Sequence, residues 1–111
     1  DLHGQLDSLY DVLSLVSDDG PNPWDGSGAV VFNGDFVDRG SNSLEVLLTL
    51  LLLKLAYPNH VYLNRGNHED EILSVTYGFL DELKSKYKDS QTTDISDIWD
   101  SFVKVFTALP L

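Results

Sequence analysis

Two short apolar runs, each ending in a polar turn and separated by a helical segment, constrain the fold of this chain more than any other feature. Residues 29–32 (Ala-Val-Val-Phe) end at Asn33-Gly34, and residues 60–63 (His-Val-Tyr-Leu) end at Asn64-Arg65-Gly66. Continuous apolar runs of this length are typical of buried strands in a parallel sheet. With a helix between them, they predict a β-α-β unit and an α/β fold.

Helical patterns lie before, between and after the two strands. The pattern between them begins at Ser41 or Ser43, either of which is a suitable N-cap, and ends near Tyr57, which precedes Pro58. It is apolar nearly all round, which predicts that this helix is buried on most sides. The other helical patterns run from Leu6 to Val16 with Gly20 as the stop, from Ile72 to Tyr87, and from Ile95 to Phe106 before Leu109-Pro110.

The remaining segments set the expected domain boundaries. Residues 18–28 are rich in Gly, Pro, Asp and Asn and predict a surface loop. Because two strands do not make a stable sheet by themselves, we expect a further strand just before Asp1. The 111 residues are therefore expected to be one partial domain, which lacks its first strand and its C-terminal part.

The composition narrows the possible chemistry. There is no Cys, so any metal must be held by oxygen and imidazole ligands, which suit Mn, Fe, Zn or Mg. The 7 basic and 18 acidic side chains give a formal net charge of −11, which repels nucleic acid. A bound metal ion would still attract a phosphate ester because its charge dominates locally, although most of these acids are equally well interpreted as a solvated face.

The longest apolar stretch, residues 46–56, is shorter than the ~20 residues that span a bilayer. We therefore expect an intracellular protein, cytoplasmic or nuclear, with neither nucleic acid nor membrane as a partner.

Reactive side chains concentrate in three short segments. These are residues 1–4 (Asp-Leu-His-Gly), 34–40 (Gly-Asp-Phe-Val-Asp-Arg-Gly) and 65–69 (Arg-Gly-Asn-His-Glu). The last two directly follow the predicted strands, and the first would follow the missing one. Ligands of open α/β sheets bind at the carboxyl ends of the strands. We therefore expect the three segments to converge on one crevice.

Their side chains fit a pair of divalent metal ions. Asp1 and His3 lie two residues apart, so in an extended chain both point to the same side and can bind one ion. Asp35 has two carboxylate oxygens and can bridge that ion to a second one. Asn67 can offer its carbonyl oxygen to the second ion. Two-metal sites of this kind catalyse phosphoryl transfer to water.

Three further residues suit phosphate binding and proton transfer. Arg39 suits bidentate binding of a phosphate group. His68, if it is oriented by Asp38, can protonate a leaving oxygen. As an alternative, Asp38 and Arg39 form a local ion pair worth under ~1 kcal/mol.

Other candidate residues are weaker. His60 begins a strand and is interpreted as structural or exposed. Asp94, Asp97 and Asp100 lack the spacing and the Gly of a calcium-binding loop, so they predict a solvated helix face.

The three segments resemble the signature of the phosphoprotein phosphatase family of serine/threonine phosphatases, a branch of the metallophosphoesterases. That signature reads GDxHG, GDxVDRG and GNHE, and it stands here as residues 1–4, 34–40 and 66–69, without the Gly before Asp1. The similarity covers essentially the whole chain. Phe36 and residues 64–70 are most similar to the branch with EF-hand regulatory domains and to the branch with tetratricopeptide repeats.

The resemblance implies a calcineurin-like metallophosphoesterase β-sandwich flanked by helices, of which this chain is the N-terminal part. It implies hydrolysis of phosphoserine and phosphothreonine in proteins by direct attack of metal-bound water, without a phosphoenzyme. The implied partners are phosphoprotein substrates and regulatory domains or subunits outside this chain. The implied site comprises Asp1, His3 and Asp35 for the first metal ion, Asp35 and Asn67 for the second, Arg39 and Asn67 for the phosphate, and His68 with Asp38 for the general acid.

The chain also departs from the family pattern. In the family, two further histidines and another arginine lie downstream of the Leu-Pro-Leu segment, and this chain ends at Leu111. The second metal would keep two ligands only, so we expect the isolated chain to be inactive or nearly so and the longer protein to be active. The alternative functions are a dinucleoside polyphosphate hydrolase, which has similar metal motifs, and a non-catalytic binding module.

Overall fold

The computed structural model describes residues 1–18 and 20–111, and it contains the predicted β-α-β unit. Residue 19, which belongs to the predicted loop 18–28, lies outside the described residues. The elements are α1 (Leu6–Asp18), β1 (Val30–Phe32), α2 (Ser43–Ala56), β2 (Val61–Leu63), α3 (Glu71–Thr76), α4 (Phe79–Lys86) and α5 (Ile95–Ala108).

The strands β1 and β2 pair in parallel, as predicted. Val30 lies opposite Val61, and Phe32 lies opposite Leu63. Within the described part of the chain the sheet has these 2 strands. The prediction of a buried strand at residues 29–32 is wrong for Val31. Val31 and Tyr62, which are opposite each other, are 54% and 44% exposed, because alternate residues of a strand face opposite sides of the sheet and the buried side is that of Phe32, Val61 and Leu63.

Helix α2 is buried on one side rather than on most sides. Leu44, Val46, Leu47 and Leu50 are buried, whereas a stripe of Leu48, Leu52 and Leu55 faces outward. The predicted burial is wrong because apolar composition alone does not tell which faces neighbouring elements cover. Even this helix, with 14 residues, is too short to cross a membrane, and no other described helix is long and apolar enough to do so.

Aromatic side chains join α4 to α5. The fully buried Phe79 lies at the start of α4, with its ring centroid 5.3 Å from that of Phe102 and 6.0 Å from that of Phe106. Both partners come from α5. This cluster fixes α4 in the core, next to the N-terminal half of α2.

The predicted helix from Ile72 to Tyr87 is two helices. It is interrupted at Gly78, whose φ of 114° is incompatible with a continuous right-handed α-helix. The interruption leaves the backbone N–H of Phe79 without an intrahelical partner, and this N–H donates to Asp38 Oδ1 over 3.1 Å. The break therefore places the start of α4 against one of the candidate site residues.

The N-terminus of α2 is capped from a distance. The capping position is Asn42, which makes no capping hydrogen bond, so the prediction of Ser41 or Ser43 is wrong. Instead, Glu82 of α4 accepts from the N–H groups of Ser43 (3.1 Å) and Leu44 (2.9 Å). A local sequence pattern does not reveal a cap that comes from another helix.

The weaker candidates have structural positions. The Nδ1 atom of His60 lies 2.7 Å from the carbonyl oxygen of Gly28, which ties the start of β2 to the loop before β1. The side chain of Asp94 caps α5 by accepting from the N–H of Ser96 over 2.9 Å. Asp94, Asp97 and Asp100 are all exposed, in agreement with a solvated helix face.

A matched pair of leucines on α2 tests where the core lies. We expect Leu50→Ala to lower the free energy of unfolding by about 2–5 kcal/mol, because Leu50 is fully buried and its truncation leaves a cavity. Leu55→Ala, at a position that is 78% exposed, should change it by less than about 0.5 kcal/mol. Urea denaturation measures both, and equal effects would contradict this description of α2.

Candidate functional site

The three reactive segments converge, as the sequence predicts. We call residues 1–5 the first loop, residues 34–42 the second loop and residues 64–70 the third loop. The N–H groups of Leu2 and His3 both donate to the carbonyl oxygen of Asp35 over 2.9 Å. The N–H of Gly40 donates to the carbonyl oxygen of His3, also over 2.9 Å. The first and second loops are thus joined by backbone hydrogen bonds at both ends of the contact.

The second and third loops touch backbone to backbone. A Cβ atom at Gly34 would collide with the backbone of Gly66, and one at Gly66 would collide with the backbone and carboxylate of Asp35. Glycine is therefore required at both positions by the distance between the loops.

Strained backbone marks the same segments. Among the described residues, positive φ angles at non-glycine positions occur at His3 (42°), Asp35 (54°), Asp38 (71°) and Arg39 (68°). Each such residue costs about 1–3 kcal/mol and persists where the surrounding structure determines its conformation. All four are candidate site residues from the sequence, so the strain and the predicted chemistry coincide.

Glu69 holds the second and third loops together. Its side chain is fully buried, and its Oε2 accepts from the N–H groups of Asp35 (2.7 Å) and Gly66 (2.9 Å). Its Oε1 accepts from those of Phe36 (2.7 Å) and, more weakly, Val37 (3.4 Å). No role for Glu69 could be inferred from the sequence. The only sequence signal was its place in the third reactive segment, because the donors Asp35, Phe36 and Val37 lie more than 30 residues away in the chain.

The first candidate metal site is formed by Asp1, His3 and Asp35. One potential ligand atom from each lies within 4.8 Å of those of the other two, which is close enough for one divalent cation to contact all three. The Nδ1 atom of His3 lies 3.0 Å from the carbonyl oxygen of Val37. With Nδ1–H donating to that oxygen, the lone pair of Nε2 is left for a metal ion, as is usual for histidine ligands.

Asn67 lies next to Asp35, on the side of the third loop. Its terminal amide is 3.2 Å from both carboxylate oxygens of Asp35. With the nitrogen turned inward, Asn67 donates to these oxygens. With its oxygen turned inward, three oxygens face one another, an arrangement that a cation stabilises. The N–H of His68 also donates to Asp35 Oδ1 over 3.1 Å, so the third loop holds this carboxylate through two of its residues.

His68 and Asp38 form a buried pair. The Nδ1 atom of His68 lies 2.8 Å from Asp38 Oδ2, and the residues are 3% and 1% exposed. The other oxygen of Asp38 accepts from Phe79. The alternative of a local pair between Asp38 and Arg39 is therefore wrong, because the carboxylate is directed towards His68 and the start of α4.

Arg39 and His3 connect this pair to the metal site. The Nη2 atom of Arg39 lies 3.3 Å from Nε2 of His68, so Arg39 borders the nitrogen that is not bound to Asp38. The ring of His3 meets that of His68 edge to face, with centroids 4.8 Å apart. All seven predicted site residues therefore lie around one crevice, whereas Arg65 of the third segment is turned away and donates to the carbonyl oxygen of Glu69 over 2.8 Å.

Replacement of the Glu69 carboxylate tests its role in joining the loops. In Glu69→Gln the amide nitrogen cannot accept, so buried N–H groups lose an acceptor. We expect a loss of about 1–3 kcal/mol in the free energy of unfolding. The exposed Glu71→Gln is the matched control and should change stability by less than about 0.5 kcal/mol. Equal stability of the two variants in chemical denaturation would contradict the assigned role.

Comparison with known proteins gives consistent results. The serine/threonine-protein phosphatase rdgC of Drosophila melanogaster is 56% identical over 90 residues, which are 78% of this chain and 12% of that protein. The human serine/threonine-protein phosphatase with EF-hands 2 is 43% identical over 111 residues, 100% of this chain and 14% of that protein. These relatives belong to the EF-hand branch that the sequence indicates.

A solved structure matches the fold over the whole chain. It is a protein serine/threonine phosphatase from Saccharomyces cerevisiae with similarity to human phosphatase PP5, with a TM-score of 0.80 and 42% identity. The match covers 100% of this chain and 31% of the yeast chain, so this chain spans a minor part of the proteins that it resembles. A family model described as calcineurin-like phosphoesterase matches residues 1–111. The chain belongs to the calcineurin-like phosphoesterase family, whose members depend on divalent metal ions.

Proposed function

We propose that this chain carries the first metal site, the phosphate-binding arginine and the general acid of a serine/threonine protein phosphatase. The observation that carries the proposal is the placement of the His68–Asp38 pair directly beside both Arg39 and the Asp1–His3–Asp35 cluster. A phosphate ester needs a cationic site for its oxygens and a proton for its leaving group, and both are available in this crevice. Phosphoproteins are the proposed substrates.

The metal content is part of the same proposal. Asp1, His3 and Asp35 would hold one ion of the Mn, Fe or Zn type, and Asp35 and Asn67 would contribute to a second. Divalent cations at such a site supply Lewis acidity and a water nucleophile at neutral pH. Asp35 is suited to both ions because the N–H of His68 and the backbone of the first loop fix its position.

Arg39 binds and orients the phosphate. Its guanidinium is fixed in charge and planar, and it presents paired donors that match two phosphate oxygens. In the structure one of these donors is directed at His68 Nε2, so the bound phosphate lies next to the nitrogen that transfers the proton. Arg39 lies at a positive φ of 68°, and its guanidinium contacts His68.

His68 protonates the leaving oxygen from Nε2. Its Nδ1–H donates to Asp38, which fixes the ring and leaves Nε2 as the atom that faces the crevice. When the P–O bond to the serine or threonine breaks, the proton moves from Nε2 to that oxygen and His68 becomes neutral.

Activity is tested in a chimera in which this chain replaces the segment of the yeast phosphatase that it matches. We expect the chimera to hydrolyse a phosphoserine peptide with Mn²⁺, and the isolated chain to have little or no activity because the second ion keeps too few ligands. In the chimera, His68→Asn should lower kcat by about 10²–10⁴-fold. His60→Asn, at a histidine outside the crevice, is the matched control and should retain activity.

The outcomes separate the alternatives. Hydrolysis of a dinucleoside polyphosphate in preference to the peptide would indicate the related hydrolase. A folded chimera that hydrolyses neither substrate would contradict the proposal and favour a binding module. Sustained metal-dependent turnover by the isolated chain would contradict the expected need for further ligands.

Metal binding has a readout that does not depend on activity. A ligand that binds the folded state alone raises the unfolding temperature, so we expect Mn²⁺ to raise that of the isolated chain and a chelator to reverse the effect. Asp35→Asn should lower the Mn²⁺ affinity by about tenfold or more, because loss of an outer-shell partner of a ligand already costs about 10–100-fold. Asp25→Asn, in the exposed loop before β1, is the control. An equal Mn²⁺ shift in both variants would place the metal elsewhere.

A further inference from the structure

We propose that Glu82 of α4 is a positioning residue for the reaction, which holds the turn at residues 38–42 in the conformation that aims Arg39 at the phosphate. This inference rests on the proposed function, because it concerns the same crevice. We call residues 38–42 the phosphate-binding turn. Glu82 does not touch the crevice, so it acts through the turn and not on the substrate.

Glu82 attaches α4 to the end of the turn. Its side chain is 10% exposed, and its two oxygens accept from the first two N–H groups of α2, those of Ser43 and Leu44. These N–H groups have no acceptor within their own helix and carry the positive end of its dipole. A carboxylate is therefore the side chain that best satisfies them. Here the carboxylate belongs to a residue that lies 39 positions after Ser43 and 38 after Leu44 in the chain.

Ser43 transmits this attachment to the other end of the turn. Its hydroxyl oxygen accepts from the N–H of Asp38 over 3.0 Å, and the residue is fully buried. Asp38 is also held by the N–H of Phe79 at the start of α4. A single helix thus fixes the turn twice, through Phe79 at Asp38 and through Glu82 at Ser43.

Lys86, one turn further along α4, fixes the middle of the turn. Its Nζ donates to the carbonyl oxygen of Ser41 over 3.0 Å and to Glu82 Oε1 over 2.7 Å, and it also contacts Glu45 of α2. Burial alone would lower the pKa of Lys86. The hydrogen bonds that Lys86 donates to Glu45 and Glu82 outweigh this effect and hold its pKa above the ordinary value. Lys86 therefore remains charged, and Glu82 has a cation to hold its carboxylate in place.

The turn needs this support because its backbone is strained. Asp38 and Arg39 are consecutive residues with positive φ, a conformation that persists only where the surroundings determine it. Without Glu82, two helix N–H groups lose their acceptor, and the start of α2 can shift towards solvent. We expect the turn then to relax and Arg39 to move out of line with His68 Nε2.

Amide hydrogen exchange tests the positioning directly, without catalysis. Glu82→Ala should speed exchange at Ser43 and Leu44, which lose their acceptor, and also by about tenfold or more at Asp38 and Gly40, which do not touch Glu82. The isosteric Glu82→Gln keeps one accepting oxygen, so it should speed exchange at the same residues by a smaller factor. The control is Asp81→Ala, which removes the same charge from an exposed position on the same helix. Exchange should be measured in the isolated chain and in the chimera. Faster exchange confined to Ser43 and Leu44 would show a cap without a positioning role and would overturn the inference.

Kinetics of the chimera give the second test. Misplacement of a binding group by about 1 Å costs up to about 100-fold in rate, so Glu82→Ala should lower kcat/KM by about 10–100-fold. In an Arg39→Ala background the same change should cost less than about twofold, because Glu82 acts through Arg39. Equal losses in both backgrounds would contradict the inference. Absence of activity in the unmodified chimera would count against the proposed function alone, since the exchange experiment tests the turn independently.

Discussion

The buried carboxylate of Glu69 is the interaction on which the rest of the site depends. Backbone N–H groups from two loops point inward towards its oxygens, and in a buried position each of them needs an acceptor. A single side chain satisfies them together, so neither loop can move without leaving donors unpaired. Both loops follow neighbouring parallel strands, so the register of the sheet sets where each loop begins. The carboxylate of Glu69 then fixes the distance between the two loops.

Strain and close approach then have a common explanation. A carboxylate at the centre of the loops draws Gly34 and Gly66 to a distance at which no side chain fits. The residues that follow must turn sharply, which places Asp35, Asp38 and Arg39 at positive φ. The side chains of these residues are directed at the crevice. The strained backbone costs free energy, but it brings carboxylate, imidazole and guanidinium groups together.

Much of this arrangement could be predicted because it is encoded locally. The β-α-β unit follows from two apolar runs and their turns, and the convergence of Asp35 and His68 follows from the position of each cluster after a strand. The exposure of individual side chains was harder to predict, since Val31 and Leu52 are apolar like core residues but are 54% and 65% exposed. The break at Gly78 was missed because the apolar period continues through it, and one glycine is tolerated in many helices.

The features that could not be predicted share a physical cause: each is a contact between a side chain and the backbone of a distant segment. Glu69 stands out in the sequence only by its place in the third reactive segment, and Glu82 does not stand out at all, because local patterns say nothing about donors more than 30 residues away. Both nevertheless satisfy N–H groups that secondary structure leaves unpaired, at a loop in one case and at a helix N-terminus in the other. Side chains of this kind hold the loops around the crevice in place. Groups on a turn are only as fixed as the backbone that carries them. The proposed roles of Arg39 and His68 therefore depend partly on Glu69 and Glu82, two carboxylates whose partners are backbone N–H groups.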